Sequence, residues 1–311
     1  MITTVTLNPA IDKTISVDNF RLNSVNRVSN VYEDIGGKGI NVSKVLNLLG
    51  ERNVALGFIG ERNYSLAQTL LKKQNIVSDF ILVDAYTRIN TKIIDSVNKS
   101  TTDINEAGFS VQSIQVEQIK LLIRTYSKSS EFVVFSGSIC QGINLDEFKE
   151  MLALTNNSKL VLDADREILK IGLTCSPYLI KPNIHELEDL LGIKLMTTND
   201  VIDSAKNLIN QYGITYVLVS IGEEGSILVS NDITLKANSL KVDVKSTVGA
   251  GDSMLAGFLY GLSMNLDLTD ALKYANCCGG FAVSGESLSE FKRRDIKDAL
   301  SLISVEVINR P

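Results

Sequence analysis

The sequence predicts an α/β fold, and two observations support that prediction. From residue 131 onward, short runs rich in β-branched residues alternate with segments of helical periodicity. Such alternation is typical of βαβ units, whose mostly parallel sheet is covered by helices. Two other segments, about 13–35 and 86–109, alternate polar and apolar residues, which indicates exposed strands. The sequence therefore predicts a mostly parallel sheet with a small β-sheet lid.

The elements follow one another in chain order. The run MITTVTLN predicts a buried strand, and INVSKVLNLLG has apolar residues at helical spacing before Gly50, which ends the helix. Further strands are predicted in FVVFSG, KLVLDAD, YLIKPN and TYVLVSIG. Helices are predicted in NLDEFKEMLALT, REILKIG, IHELEDLLG and near 200–212. Ligands of such a sheet bind at the carboxyl ends of its strands.

Composition excludes several function classes. The 311 residues include only four prolines and no internal repeat, so we expect a single domain, 1–311, with the lid as two excursions from it. A net charge of −5 argues against a nucleic-acid partner. No apolar run approaches the roughly 18 residues of a membrane span, and the first residues lack a signal-peptide pattern. The expected location is the cytoplasm, with no membrane partner.

Cysteine and histidine are too few for most metal sites. Cys140, Cys175, Cys277 and Cys278 have no CxxC spacing and are expected to be buried free thiols. The chain has one histidine, His185. This count argues against His-rich metal sites and most Ser-His-Asp hydrolases.

The stretch STVGAGDSM, residues 246–254, opens an apolar helix with small residues and one carboxylate. Taken alone, the pattern favours a tight turn in which Asp252 caps the helix. The alternative is chemical: backbone N–H groups at a helix start can hold a phosphoryl group while Asp252 accepts the proton of a hydroxyl. The chain has no G-x-x-x-x-G-K-[ST] and no strand-G-x-G-x-x-G-helix pattern, which excludes a P-loop kinase and disfavours a Rossmann dehydrogenase.

A second cluster of small residues lies in DIGGKGINVSK, at the start of the first core helix. A glycine-rich strand-to-helix junction explains it as well as a binding pocket does. In the binding interpretation, backbone groups and the Asn41 amide meet the hydroxyls of a polyol, and Lys38 meets an anion. Asp12, at the end of TLNPAID, adds an acceptor for hydroxyls, or is a solvated turn residue.

Eight motifs together resemble one family. TLNPAID, GGKGINVSKVL, TRINTK, NEAG, SGSI, KPNIHEL, SIGEEG and STVGAGDSM occur in this order between residues 6 and 254. They resemble the PfkB (ribokinase-like) family of ATP-dependent sugar kinases. The resemblance implies a ribokinase-like α/β/α sandwich with a β lid that often forms a homodimer interface. It favours the branch that phosphorylates the 6-hydroxyl of fructose 1-phosphate, with tagatose 6-phosphate and fructose 6-phosphate as alternatives.

The resemblance also implies roles for particular residues. Asp252 would be the general base, and Gly249, Ala250 and Gly251 would form the anion hole. The sugar hydroxyls and the substrate phosphate would be bound by Asp12, Gly37, Asn41 and Arg88, with help from Lys38 and Arg27. ATP would contact Asn183, Ser220, Gly222, Gly225, Gly251 and Asn276. Glu186 would order Mg²⁺ through water, and His185 would stay on the solvent side of its helix.

Two segments depart from the family pattern. DADRE replaces D-[ST]-S, which leaves contacts by Asp165 or Arg166 open, and SGSICQG lacks the usual proline. A non-catalytic sensor is a different-class alternative. The intact GAGD argues against it, because a binding protein does not need the base.

Overall fold

The structure is a computed structural model that describes residues 1–245, 247–285 and 292–309. Ser246 of the STVGAGDSM motif and the side chain of Arg166 lie outside the described part. The strands in this part are β1 (Ile2–Thr6), β2 (Ala10–Val17), β3 (Val28–Gly36), β4 (Asn53–Gly60), β5 (Ser78–Val83), β6 (Arg88–Asp95), β7 (Ser100–Asn105), β8 (Phe132–Ser136), β9 (Lys159–Asp163), β10 (Leu179–Ile180), β11 (Tyr216–Ser220), β12 (Ser226–Val229), β13 (Thr234–Ala237) and β14 (Val305–Asn309).

The helices lie between these strands and after them, and those at 64–73 and 113–127 are not among the predicted helices. They are α1 (Lys38–Leu49), α2 (Tyr64–Lys73), α3 (Ser113–Ser127), α4 (Leu145–Ala153), α5 (Arg166–Leu173), α6 (Ile184–Leu191), α7 (Thr198–Tyr212), α8 (Ala250–Ser263), α9 (Leu268–Ser284) and α10 (Arg293–Ala299). No helix in the described ranges is both long and apolar enough to cross a membrane.

Ten strands form one large sheet in the order β14-β13-β12-β11-β10-β9-β8-β1-β4-β5. The seven strands from β11 to β5 are parallel, and β12, β13 and β14 add an antiparallel edge. Alternate strand residues enter two separate cores: α3, α4 and α7 pack on one face, and α1, α8 and α9 on the other. Burial on both faces explains why these strands read as continuous apolar runs.

The position of β1 creates the crevice in which a ligand can bind. The chain continues from β1 to β4 and β5 on one side, and later to β8 and β9 on the other. The strand order therefore reverses direction at β1, which makes it a topological switch point. A crevice forms at the carboxyl ends of the parallel strands beside such a point. Thr6, Asp163 and Ser220 end β1, β9 and β11 at this edge.

The predicted lid is the second sheet, with strand order β3-β2-β6-β7. Its first strand begins at Ala10 rather than at residue 13, because Ala10 already pairs with both Gly36 and Arg88. Near its root, Ile11 and Ile35 pack against α2 and α1 in a third apolar cluster. The lid is therefore anchored at one end and extends over the crevice.

The prediction for histidine is confirmed, and that for cysteine is confirmed except that Cys175 is only partly buried. All four cysteines are free, and three of them are buried. The His185 side chain is 87% exposed and lies 3.6 Å from the Glu188 carboxylate.

Candidate active site

A cleft of about 630 Å³ lies between the carboxyl edge of the large sheet and the inner face of the lid. The ends of β9, β10 and β11 form its floor, and the first turns of α1 and α8 point into it. Within the lid, the glycine at position 36 leaves room for the Asp12 carboxylate, since a Cβ there would lie 1.9 Å from Asp12 Oδ2. The floor is the sheet wall of the cleft, the inner face of the lid is its lid wall, and the two differ in character.

The lid wall consists of two polar rows. Because side chains alternate along a strand and the register aligns the four strands, these rows face the cleft together. Asn90 Nδ2 donates to Asp12 Oδ1 at 3.0 Å. Burial raises the pKa of Asp12, and the Asn90 bond opposes that shift. The rows are Asp34, Asp12, Asn90 and Asn105, and Tyr32, Thr14, Lys92 and Asp103.

Arg88 lies where the lid meets the large sheet. Its Nε, Nη1 and Nη2 donate to the carbonyl oxygens of Pro9, Glu106 and Asn8 at 3.3, 3.1 and 3.0 Å. Three of its five N–H groups are thereby used. These bonds hold the guanidinium rigidly at the cleft wall.

The first turn of α8 forms the floor opposite the lid. Gly249 precedes the helix with φ 79° and ψ 0°, a left-handed conformation that glycine adopts easily. A Cβ at position 251 would lie 3.0 Å from Lys181 Nζ, so the ammonium sits directly over the backbone of Gly251. Helix N–H groups and an ammonium thus converge on one point, which suits an anion.

Asp252 follows in the same turn and is 6% exposed. Its Oδ2 accepts a hydrogen bond from Asn41 Nδ2 at 2.9 Å. Burial, with a smaller effect of the Asp163 charge, raises the pKa of Asp252 to about 6, against the lowering effects of Asn41, Lys38 and Lys181. A carboxylate with a pKa near 6 is ionised at neutral pH and can accept a proton.

Asp163, Lys38 and Lys181 form an ionic cluster near Asp252, and of the three Lys38 is partly exposed. The Asp163 carboxylate lies 3.4 Å from Lys38 Nζ and 3.5 Å from Lys181 Nζ. Burial raises the pKa of Asp163, but the two ammonium groups outweigh it, and the pKa lies below its ordinary value. The cluster fixes both lysines at the floor.

Lys38 also lies close to acidic groups at the starts of α5 and α6. Its Nζ lies 3.5 Å from Asp165 Oδ1 and 3.7 Å from Glu186 Oε1. Burial lowers the pKa of Lys38, but the surrounding carboxylates outweigh it and raise the pKa above its ordinary value. The structure therefore places Lys38 on the floor with Glu186, away from Arg88.

Asn183 and Glu186 cap α6 reciprocally, each accepting from the other's backbone N–H at 2.8 Å. This cap uses Glu186 Oε2 and leaves Oε1 near Lys38. Across the described part of the chain, no three acidic, histidine or cysteine side chains form a cage for a metal. A single cleft-facing carboxylate oxygen fits Mg²⁺, which keeps several water ligands.

Most of the predicted site residues line this one cleft. These are Asp12, Gly37, Lys38, Asn41, Arg88, Asn183, Glu186, Ser220, Gly249, Ala250, Gly251 and Asp252.

Four predicted residues do not reach the cleft. Arg27 is exposed on the chain just before β3. Gly222 and Gly225 belong to the turn after β11, where a Cβ at 225 would lie 2.0 Å from the Ala237 carbonyl oxygen. Asn276 is buried and donates to Ser226 Oγ at 2.7 Å and to Leu272 O at 2.9 Å, which joins α9 to β12.

Several cleft residues are not identified from the sequence. Lys181 and Asn90 lie inside the motifs KPNIHEL and TRINTK, next to residues to which those motifs assign a role. Asp163 lies in the predicted strand segment KLVLDAD, and its place near the carboxyl end of that strand is a usable signal. Asp34 and Lys44 begin and end DIGGKGINVSK, but nothing in that pattern distinguishes them from charged residues that face solvent. The other members of the two polar lid rows are not identified either: Tyr32, Thr14, Lys92, Asp103 and Asn105.

Comparison with known proteins gives the family. The protein-family model described as pfkB family carbohydrate kinase matches residues 5–293 of the chain. The chain belongs to the pfkB family of carbohydrate kinases. It is 35% identical to the 1-phosphofructokinase of Borreliella burgdorferi and 34% identical to that of Escherichia coli K12, each over 99% of both chains. A solved Staphylococcus aureus protein assigned as a phosphofructokinase superposes with a TM-score of 0.86 at 34% identity, covering 100% of both chains.

Membership confirms the fold that the sequence predicts. The sheet order, the second sheet and the whole-length similarity agree with a ribokinase-like kinase. The family is one of carbohydrate kinases.

Proposed function

We propose that this pfkB-family kinase transfers the γ-phosphoryl group of ATP to the 6-hydroxyl of fructose 1-phosphate, giving fructose 1,6-bisphosphate and ADP. Its relatives named 1-phosphofructokinase match almost the whole chain. The observation that carries the proposal is the joint placement of Asp252, Lys181 and the α8 N-terminus opposite a polar lid. Proton acceptor, anion site and hydroxyl-binding wall are thus present in one cleft.

In the proposed reaction, Asp252 accepts the proton as the 6-hydroxyl oxygen attacks the γ-phosphorus. The bond from the γ-phosphorus to the bridging oxygen of ADP breaks in the same displacement. The transition state is loose, so the main task of the protein is positioning and charge stabilisation. The backbone of Gly249, Ala250 and Gly251, with Lys181 above it, stabilises the equatorial oxygens.

Mg²⁺ fits the proposed site at the head of α6. Glu186 Oε1 faces the cleft near Lys38, while Asn183 N fixes the other carboxylate oxygen. We propose that Glu186 holds the ion through water. When bound, Mg²⁺ neutralises charge on the ATP phosphates. The ATP contacts of Asn183 and Ser220 are proposed on the same basis, because both line the floor.

The sugar phosphate binds, in this proposal, along the lid. Asp12 accepts hydrogen bonds from the sugar hydroxyls, and its partner Asn90 donates to them. Asn41 and Gly37 complete these contacts from the start of α1. Arg88 binds the 1-phosphate with the N–H groups that its carbonyl partners leave free. Arg27, Gly222, Gly225 and Asn276 stay predictions for this chemistry, since they lie outside the cleft.

The lid is also the proposed homodimer interface. Its outer face exposes apolar side chains that a monomer would leave in water: Val28 is 45% exposed, Val31 50% and Ile104 56%. Apolar groups grouped on one exposed sheet face are typical of an interface. We propose that the chain, 1–311, acts as a single domain, and that it works in the cytoplasm, where its free cysteines stay reduced.

A coupled ADP-release assay with ATP and Mg²⁺ tests the function. The substrates are fructose 1-phosphate, tagatose 6-phosphate, fructose 6-phosphate and fructose. We expect the highest kcat/KM with fructose 1-phosphate, and activity lost with EDTA and restored by Mg²⁺. A preference for fructose by orders of magnitude would remove the phosphate-binding role of Arg88.

Analytical ultracentrifugation of wild type and Val31→Lys tests the dimer.

A further inference from the structure

Lys44 is a buried lysine at the end of DIGGKGINVSK, and the sequence analysis assigns it no role. It lies on α1 one turn after Asn41 and is 7% exposed. Its Nζ lies 2.9 Å from Asp34 Oδ2 and 3.2 Å from Asn41 Oδ1. A buried ammonium needs a charged partner, which Asp34 supplies. The second contact, to Asn41, connects the ion pair to the active site.

The contact with Lys44 determines which way the Asn41 amide points. An ammonium has three donors and no acceptor, so the amide must turn its oxygen toward Lys44. The NH₂ group then points the other way and donates to Asp252 Oδ2 at 2.9 Å. With the amide turned over, its oxygen would face the carboxylate and repel it.

The far end of this chain of contacts is also fixed. Asp34 Oδ1 accepts from Gln74 Nε2 at 3.0 Å and from the backbone N–H of Ile35 at 2.9 Å. Asp34 belongs to lid strand β3, and Gln74 follows α2. Through Asp34, Lys44 is therefore connected to β3 and to the end of α2.

The other oxygen of Asp252 is available for substrate. Among the residues that the structure describes, none donates a hydrogen bond to Asp252 Oδ1, although the carboxylate lines the cleft. A carboxylate held by one oxygen presents the second in a defined direction. That direction decides whether a hydroxyl can transfer its proton as it attacks.

We propose that Lys44 is a positioning residue for phosphoryl transfer: it orients the Asn41 amide so that Asn41 holds Asp252 by one oxygen and leaves the other for the hydroxyl. This inference rests on the proposed function, in which Asp252 is the base. Lys44 acts through Asn41 and touches no reacting atom.

Lys44→Met tests the inference, with Lys44→Arg as the conservative variant. We expect kcat with fructose 1-phosphate to fall about 10- to 100-fold in Lys44→Met, with KM for ATP changed by no more than several-fold. Lys44→Arg keeps donors toward both partners and should restore most of kcat. Lys120→Met is the matched control, because Lys120 pairs with Glu117 and Glu150 far from the cleft. It should leave kcat unchanged.

Loss of Lys44 leaves Asp34 buried without its cation, so stability must be followed separately. The double variant Asp34→Asn/Lys44→Met removes both charges and should fold where the single variant does not. It should show the same loss in kcat, because the amide orientation is equally lost. Circular dichroism melts of each variant identify the assay temperature at which all remain folded.

The pH profile distinguishes positioning from a merely structural role. The Asp252 carboxylate faces Asp163 from β9, Lys38 and Asn41 from α1, and Lys181 from the end of β10. The Asn41 bond lowers its pKa, so losing that bond should move the acidic limb of kcat above its wild-type position near pH 6. A structural role would lower the melting temperature and leave the limb in place.

A double-mutant cycle supplies the decisive comparison. In an Asn41→Ala background, Lys44→Met should have little further effect on kcat, because its route to Asp252 is gone. A full additional loss there, or an unchanged kcat and acidic limb in Lys44→Met, would overturn the proposal. Wild-type turnover of fructose 1-phosphate tests the proposed function separately, so the two failures are distinguishable.

Discussion

The two walls of the cleft differ in how their polar groups are held. On the sheet wall, Asp163, Lys181 and Asp252 are 2%, 4% and 6% exposed. Asp163 pairs with Lys181, and the charges of both act on Asp252. On the lid wall, polar side chains alternate along strands whose residues are mostly half-buried or exposed. Charges shielded from water interact strongly, and alternating strand residues give a regular array of donors and acceptors. In the proposed function, this difference corresponds to chemistry on the sheet wall and recognition on the lid wall.

This division can be tested by asking which kinetic constant each wall controls. A group that acts mainly in the transition state lowers kcat, whereas one that binds substrate and transition state alike raises KM. Changes on the sheet wall should therefore appear in kcat, and changes on the lid wall in KM.

The largest effect is expected for Asp252→Asn. The amide is isosteric but cannot accept the hydroxyl proton, so kcat should fall about 10³- to 10⁴-fold. Dissociation constants for ATP and fructose 1-phosphate, measured by calorimetry, should stay within several-fold of wild type. Turnover at the wild-type rate would remove Asp252 from the mechanism.

Lys181→Met should have the next largest effect. The variant removes a buried cation above Gly251, where negative charge on the transferred group is stabilised, and kcat should fall about 10²-fold. Lys159→Met is the control on the opposite end of β9, where the lysine pairs with Glu131 at 3.0 Å. Steady-state assays of both variants should show the loss only at position 181, and equal losses would argue against an anion role.

The sequence predicts the sheet wall better than the lid wall, for a physical reason. Strands buried on both faces leave continuous apolar runs, so β1, β8, β9, β10 and β11 are predicted correctly, and helical periodicity predicts α1, α4, α5, α6 and α7. The ends of those strands then locate the floor. The glycines and Asp252 of α8 are identified as well, because few residue types tolerate such a turn.

The sequence does not reveal contacts between distant segments. Lys44 and Asp34 pair because a lid strand approaches α1, and the local periodicity of the two segments does not predict this contact. The sequence analysis also leaves β4, α2, β5 and α3 and the antiparallel edge strands β12, β13 and β14 unassigned. Asn276 fits its motif position, yet the packing of α9 against β12 uses its amide inside the protein.

On the lid wall, Arg88→Gln should raise KM more than it lowers kcat. A charge-assisted bond to phosphate contributes about 1.5–3 kcal/mol, which corresponds to a rise in KM for fructose 1-phosphate of about 10- to 100-fold. The slow reaction with fructose, which has no phosphate, should change little and serves as the control. An unchanged KM would place the phosphate elsewhere on the lid.

The smallest effect is expected at Asp95, which stabilises the lid tip outside the cleft. Its carboxylate is 3% exposed and accepts from the backbone N–H groups of Asn19, Phe20, Val97 and Asn98. Burial raises the pKa of Asp95, but these bonds and the Asn98 side chain outweigh it and hold the pKa well below its ordinary 3.8. A depressed pKa means that the ionised form stabilises the fold.

That stabilisation should be complete above about pH 4 and decline as the pH falls below it, because the unfolded chain then binds the proton first. Asp95→Asn should therefore lower the melting temperature by about 2–5 °C at pH 7, and by progressively less below pH 4. Asp298→Asn, at an exposed position, is the control and should leave the melting temperature unchanged both at pH 7 and below pH 4. Because Asp95 holds the lid tip and touches no substrate, kcat of Asp95→Asn should stay near wild type. A large loss of kcat would mean that lid order controls the chemistry of the sheet wall, and the separation between the two walls would then fail.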